Sequence, residues 1–197
     1  LPSHDNENFE DEWSGEVGGL PFRLHEAKLT EERGSGDNRR TVTVFRGSLM
    51  SVGFNRRFHG VTLVERERKR RTWYGAEKET ISIGDVELTR ADMVDPRFED
   101  LFTVWSNDAV ESRYLVHPEY IERLVAVEEA YSGQNIRALF HGGELLIVLE
   151  TGDMFESGSL DAGMDRHLLE RTIEQFCSLG ELAHRLNERP REGFGGA

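Results

Sequence analysis

The stretch LPFRLHEAKLTEERGSGDNRRTVTVFRGSLMSVGF, residues 20–54, decides the fold. Leu20, Phe22 and Leu24 alternate with polar neighbours, as one face of a half-buried strand does. Gly34-Ser35-Gly36-Asp37-Asn38 is a loop by composition, with glycines free to adopt positive φ. Beyond it Val42, Val44, Met50, Val52 and Phe54 keep one parity, so one long strand is expected to present them all inward. Gly47 and Ser48 interrupt that face and predict a bend or bulge. The simplest reading is a long hairpin pairing residues 16–32 with 40–54.

Further along, Val61–Val64 and Ile81–Ile83 read as two shorter strands, separated by the charged stretch Glu65–Arg71. Asp95-Pro96 starts a short helix, because aspartate caps and proline at the first helical position sacrifices no needed donor. Phe102–Trp105 reads as extended and Asp108–Leu115 as a second short helix. A longer helix begins at Pro118, where Tyr120, Leu124, Val127 and Tyr131 recur as one buried stripe and Gly133 supplies the stop. Ile136–Phe140 and Glu144–Leu149 form a tight hairpin around Gly142-Gly143. A last helix, 165–187, spaces Leu169, Ile173, Phe176, Leu179, Ala183 and Leu186 along one side. This order predicts an α+β fold: a largely antiparallel sheet with two main packed helices and short extra helices.

The chain is long enough for one generous domain or two small ones, at 197 residues. The expected division is an acidic flexible tether over 1–13, an α+β domain over 14–189 and a flexible tail over 190–197. Within the domain, a strand-rich half covers 14–90 and a helix and hairpin half covers 91–189. Lysine and arginine total 24 against 37 acids, a net charge of −13, which excludes duplex nucleic acid as the main partner. The longest apolar runs, such as Leu145–Leu149, are too short for a transmembrane helix within these residues. A single cysteine excludes an internal disulfide.

No arrangement of residues spells out a reaction. His167 and Glu170 have one-turn spacing, with His184 further down the same helix, but no further ligand completes a metal set. Cys177 beside Phe176 reads as a small buried hydrophobe, and His184 is two turns away, too far to activate its thiol. Gly34-Ser35-Gly36 is not a nucleophile elbow, and no glycine run enters a helix as a phosphate loop requires. The acidic loop with Glu150, Asp153, Glu156 and Asp161 lacks the spacing of a calcium-binding EF-hand. No catalytic residue, metal or cofactor is therefore assigned. One local feature opposes the global charge: Arg66, Arg68, Lys69, Arg70 and Arg71, followed by Trp73-Tyr74. Bases beside interfacial aromatics suit an anionic membrane surface or a single-stranded nucleic-acid groove; the alternative is a solvated loop.

Four stretches carry a family pattern: GEVGGLPFRLHEAKL at 15–29, RRTVTVFRG at 39–47, DPRFEDLFTVWSNDAVESRYLVHPEYIERL at 95–124 and FHGGELLIVLE at 140–150. Together they resemble the bacterial domain-of-unknown-function family 3137. The most specific block holds Phe98, Leu101, Phe102, Val104, Ser106, Asp108, Glu111, Arg113, Tyr114 and Pro118. His117 stands where the family pattern has a hydroxyl residue, which implies a weaker helix cap. The resemblance transfers no catalytic or ligand residue. It implies a pair of apolar segments upstream, anchoring the protein in the inner membrane with this domain on the cytoplasmic side. The leading expectation is a non-enzymatic binding or scaffolding module, its partner a protein or an anionic membrane surface. The alternative is a hydrolase or transferase whose site assembles from scattered residues. Oligomeric state is not legible.

Overall fold

Backbone pairing in the computed structural model, which describes residues 2–17, 19–53, 57–67, 79–92, 96–130 and 133–151, produces one continuous sheet. Its strands are β1 (Asn6–Val17), β2 (Leu20–Arg33), β3 (Arg40–Gly53), β4 (Thr62–Arg66), β5 (Thr80–Ile83), β6 (Val86–Arg90), β7 (Phe102–Ser106), β8 (Gln134–His141) and β9 (Glu144–Glu150). The helices are α1 (Pro96–Glu99), α2 (Ala109–Leu115) and α3 (Pro118–Ala130). The strand order is β1-β2-β3-β9-β8-β4-β7-β6-β5, and every pairing is antiparallel.

The expected α+β class, with two main packed helices, is corrected: the fold is dominated by its sheet. Nine strands stand against helices of 4, 7 and 13 residues among the described residues. The reason lies in segments with no strong helical or strand signature. Residues 6–13, expected in a solvated tether, form most of β1 and pair with β2. Its acids do not oppose a strand, because β1 is the sheet edge and most of its described side chains stay exposed. Trp13 meanwhile packs against the core. Thr80–Ile83 and Val86–Arg90 add a further hairpin, of which the hydropathy pattern marks only the first strand. The expected helix at 165–187 and tail at 190–197 lie outside the described residues.

The hairpin of β2 and β3 forms as the alternation predicts, with Leu24 opposite Met50 and Phe22 opposite Val52. The predicted inward face does not run unbroken. A register shift between Leu29 and Thr30 leaves Val44 unopposed, so the bulge falls there rather than at Gly47-Ser48. Val44 consequently packs with Phe45, Ala27, Leu29, Leu49 and Val148 in a cluster separate from the main core, on the face that Phe45 and Leu49 share by alternation. Gly47 serves a different purpose. A Cβ there would lie 2.0 Å from the Leu149 backbone oxygen, so only glycine allows β3 and β9 to approach this closely.

The main core forms where α2 and α3 cover one face of the sheet. Tyr120, Leu124 and Val127 of α3 recur on the predicted stripe, joined by Ile121, and all four are buried. They meet Val64, Phe102, Phe140 and Ile147 from four different strands, and Leu20, Phe22, Leu24, Met50 and Val52 extend the same cluster. Residues from 14–90 and from 91–189 therefore share one core. On the opposite face lie two smaller clusters, the one around Phe45 and another around Val61, Leu88 and Trp105.

Candidate functional site

The sequence points to the end of β4, and the structure describes the first residue of the basic stretch. Arg66 closes β4, which is an interior strand flanked by β8 and β7. Its side chain does not reach for solvent. Nε donates to Glu128 Oε2 at 2.7 Å, Nη2 donates to the same oxygen, and the guanidinium lies 4.5 Å from the Phe102 ring centre. The other oxygen of Glu128 accepts the Ile136 backbone N–H at 3.0 Å. One buried carboxylate near the end of α3 thus joins three elements: helix α3, strand β4 and strand β8. A charge removed from water is tolerated because it is both paired and hydrogen-bonded.

Immediately beyond Arg66 the chain is held again. Glu67 donates its backbone N–H to the Leu101 carbonyl at 2.9 Å, and its side chain accepts the Thr103 hydroxyl. Leu101 is 40% exposed, an apolar side chain on the turn beside the point where the basic stretch departs. Asp100 is exposed next to it. Arg68, Lys69, Arg70 and Arg71 lie outside the described residues, as do Trp73 and Tyr74. His167, Glu170, Cys177 and His184 do so as well, together with Asp153, Glu156 and Asp161.

At the opposite end of β4, the block that carries the family pattern builds a clamp. Asp108 caps α2, its Oδ1 accepting from Val110 N at 3.1 Å and Glu111 N at 2.9 Å. Glu111, also buried, accepts the backbone N–H groups of His59 and Gly60 at 2.9 and 2.8 Å. Asn107 Oδ1 accepts Val61 N–H at 2.7 Å, and the hydroxyls of Thr62 and Ser106 are 2.9 Å apart. A Cβ on Gly60 would lie 2.5 Å from Asn107 Oδ1 and 2.8 Å from Asp108 Cβ, so the close approach of this loop to the turn before α2 favours glycine. Ser106, which accepts the Asp108 N–H at 3.0 Å, and Asp108 thereby satisfy backbone donors of the turn between β7 and α2, and Glu111 satisfies those of the loop before β4. His117 does cap α3, its Nδ1 accepting Glu119 N–H at a long 3.4 Å, consistent with the weaker cap expected of it.

Sequence reasoning missed Glu111 and Glu128 as organising groups. Glu128 lies four residues beyond Leu124, on the same side of the helix as the buried stripe, and that position is the signal that was available. Tyr120 is the other buried polar group of note. Its hydroxyl has no hydrogen-bond partner among the described residues, and burial pushes its ionisation far above the ordinary tyrosine value of 10.0. Among the described residues, no group of three His, Cys, Asp or Glu side chains is placed to hold a metal ion. No helix among them is long and apolar enough to cross a membrane.

These features define a broad antiparallel sheet, faced on one side by helices that buried carboxylates tie to it. The chain belongs to the family described as "Protein of unknown function (DUF3137)", whose model matches residues 43–188. No curated protein matches it. Among solved structures it is similar to the crystal structure of the mycobacterial trehalose monomycolate transport factor A, TtfA, at 12% identity and a TM-score of 0.38. That alignment covers 89% of this chain and 88% of the other.

Proposed function

We propose that this domain is a non-enzymatic binding or scaffolding module that sits against an anionic membrane surface through residues 68–71. The observation that carries the reading is the fixed departure point of the basic stretch. Arg66 is locked to Glu128 on an interior strand, and Glu67 is tied to Leu101 and Thr103, so the bases that follow start from a rigid platform. Each lysine or arginine near an anionic bilayer contributes about 1 kcal/mol, so Arg68, Lys69, Arg70 and Arg71 together supply at most about 4 kcal/mol. Leu101, exposed on the turn that holds Glu67, offers an apolar contact at this end, while the overall charge of −13 turns the remainder of the domain away. Attraction at one end and repulsion elsewhere set orientation. The membrane meant is the inner membrane at its cytoplasmic side, as the family resemblance implies, with the domain held near it by upstream apolar segments.

Vesicle co-sedimentation tests the reading, comparing phosphatidylcholine with mixtures containing phosphatidylglycerol at low and moderate salt. Binding confined to anionic vesicles, weakened by salt and lost when the four bases become glutamine, is the expected result. Equal and negligible binding to both vesicle types at low salt overturns it.

A further inference from the structure

Strand β1 is the outermost strand of the sheet, and among the described residues it meets another strand on one side only. It runs for 12 residues, about twice the usual strand length. A strand so placed presents a row of backbone N–H and C=O groups on its outer side, because alternate residues of an antiparallel pair turn theirs away from the partner. The pairing with β2 shifts register between Glu10 and Glu12, and that shift decides what the strand displays. Glu7 and Phe9 stand opposite Leu29 and Ala27, whereas Glu12, Ser14 and Glu16 stand opposite His25, Arg23 and Pro21. All five therefore share the face turned away from the helices, and all five are exposed. Phe9 is 50% exposed, its ring meeting His25 nearly edge-on at 6.0 Å. Trp13, on the other face, packs against the main core and holds the strand in place.

We infer that the outer edge of β1 is a docking strand for a basic, extended segment of a partner protein, which adds to the sheet as a further strand. Main-chain hydrogen bonds along the edge supply the attraction, as in other cases of strand addition. Charge selects the occupant. β1 holds Glu7, Glu10, Asp11, Glu12 and Glu16 and no lysine or arginine. The part of β2 that pairs with it adds one base to the exposed face, Arg23 opposite Ser14. A second copy of β1 laid along this edge would set acids against acids, and like charges directly opposite destabilise a strand pair. A segment with lysine or arginine at alternate positions meets the acids favourably, and Phe9 gives it an apolar contact between Glu7 and Glu12. Protection of an edge is achieved by shortening the strand or placing proline in it, and β1 has 12 residues and no proline. The inference is independent of membrane binding, since β2, β3, β9 and β8 separate β1 from β4.

Fluorescence anisotropy with the full chain, free of lipid and at low salt, provides the test. The probe is a labelled peptide alternating lysine with valine. One comparison peptide carries glutamate in place of lysine; another is fully N-methylated, which keeps every charge and removes every backbone donor. The unmodified peptide is expected to bind about tenfold or more tighter than either comparison. Combining Glu7→Gln, Glu12→Gln and Glu16→Gln should weaken it by about tenfold while leaving the urea midpoint in place, because these side chains are exposed. Amide hydrogen exchange should slow across residues 6–16 when the peptide is bound, and not along β5 at the other end of the strand order. Failure of the lysine peptide to bind overturns the inference. Equal binding of the N-methylated peptide reduces it to unspecific charge attraction, and protection absent from 6–16 places the peptide elsewhere; either result overturns it as well. A free chain that sediments as a dimer, with exchange protection on β1, gives the edge to a second copy and likewise overturns it.

Discussion

Arg66 and Glu128, sixty-two positions apart in the chain, share a two-donor ion pair that fastens the end of α3 to the end of β4. The pair is mostly removed from water, with side-chain exposures of 23% and 10%. Breaking such a pair from one side strands the other charge, which costs about 3–5 kcal/mol. Arg66→Ala and Glu128→Ala should each lower unfolding free energy by about that much in urea titrations. Glu128→Ala should cost more, because it also releases the Ile136 N–H. The double variant should be clearly less destabilised than the sum of the singles, which a double-mutant cycle measures directly.

The clamp at the other end of β4 predicts an order of effects. Asp108→Ala removes a helix cap and should cost about 1 kcal/mol. Glu111→Ala leaves the N–H groups of His59 and Gly60 unpaired, the latter bond being buried, and should cost about 2–4 kcal/mol. Equal urea midpoints for the two variants would refute the assignment of Glu111 as the main tie.

Tyr120 predicts a substitution that does no harm. Its hydroxyl is buried without a partner among the described residues, so Tyr120→Phe should leave stability unchanged or raise it by about 1 kcal/mol. Leu124→Ala, one turn along the same stripe, should instead cost about 2–5 kcal/mol through the cavity it leaves.

The same tyrosine has a pH signature. Its native ionisation lies far above 10.0, so above about pH 10 the unfolded chain releases a proton that the native chain retains. Stability therefore falls as pH rises beyond that point, and Tyr120→Phe should flatten the fall. In a native absorbance titration, one of the four tyrosines should resist ionisation until the protein unfolds.

Gly47 should be intolerant of any side chain. An added Cβ meets the Leu149 backbone oxygen at 2.0 Å, and backbone cannot step aside without parting β3 from β9. Gly47→Ala should cost about 3 kcal/mol, read as a lowered thermal midpoint.

Alternation and capping made the local elements legible in the sequence. Leu20, Phe22 and Leu24 announce β2, Asp108 announces α2, and Tyr120, Leu124 and Val127 announce α3, because side-chain period and capping are properties of a few neighbouring residues. The family, too, could be read from quoted stretches, and the matched model bears it out. What needed the tertiary structure is whatever depends on a partner far along the chain. The acid-rich start of β1 looks like solvated tether until β2 lies beside it, since an edge strand can keep its charges in water while pairing its backbone. Arg66 looks like one more exposed base until Glu128 and Phe102 converge on it. The dominance of sheet over helix arises likewise, strand by strand, from pairings such as β4 with both β7 and β8, which join residues some 40 to 80 positions apart. A strand's hydrogen bonds are completed by another segment, whereas a helix completes its own, so the sequence declares helices locally and leaves the extent of a sheet to the fold.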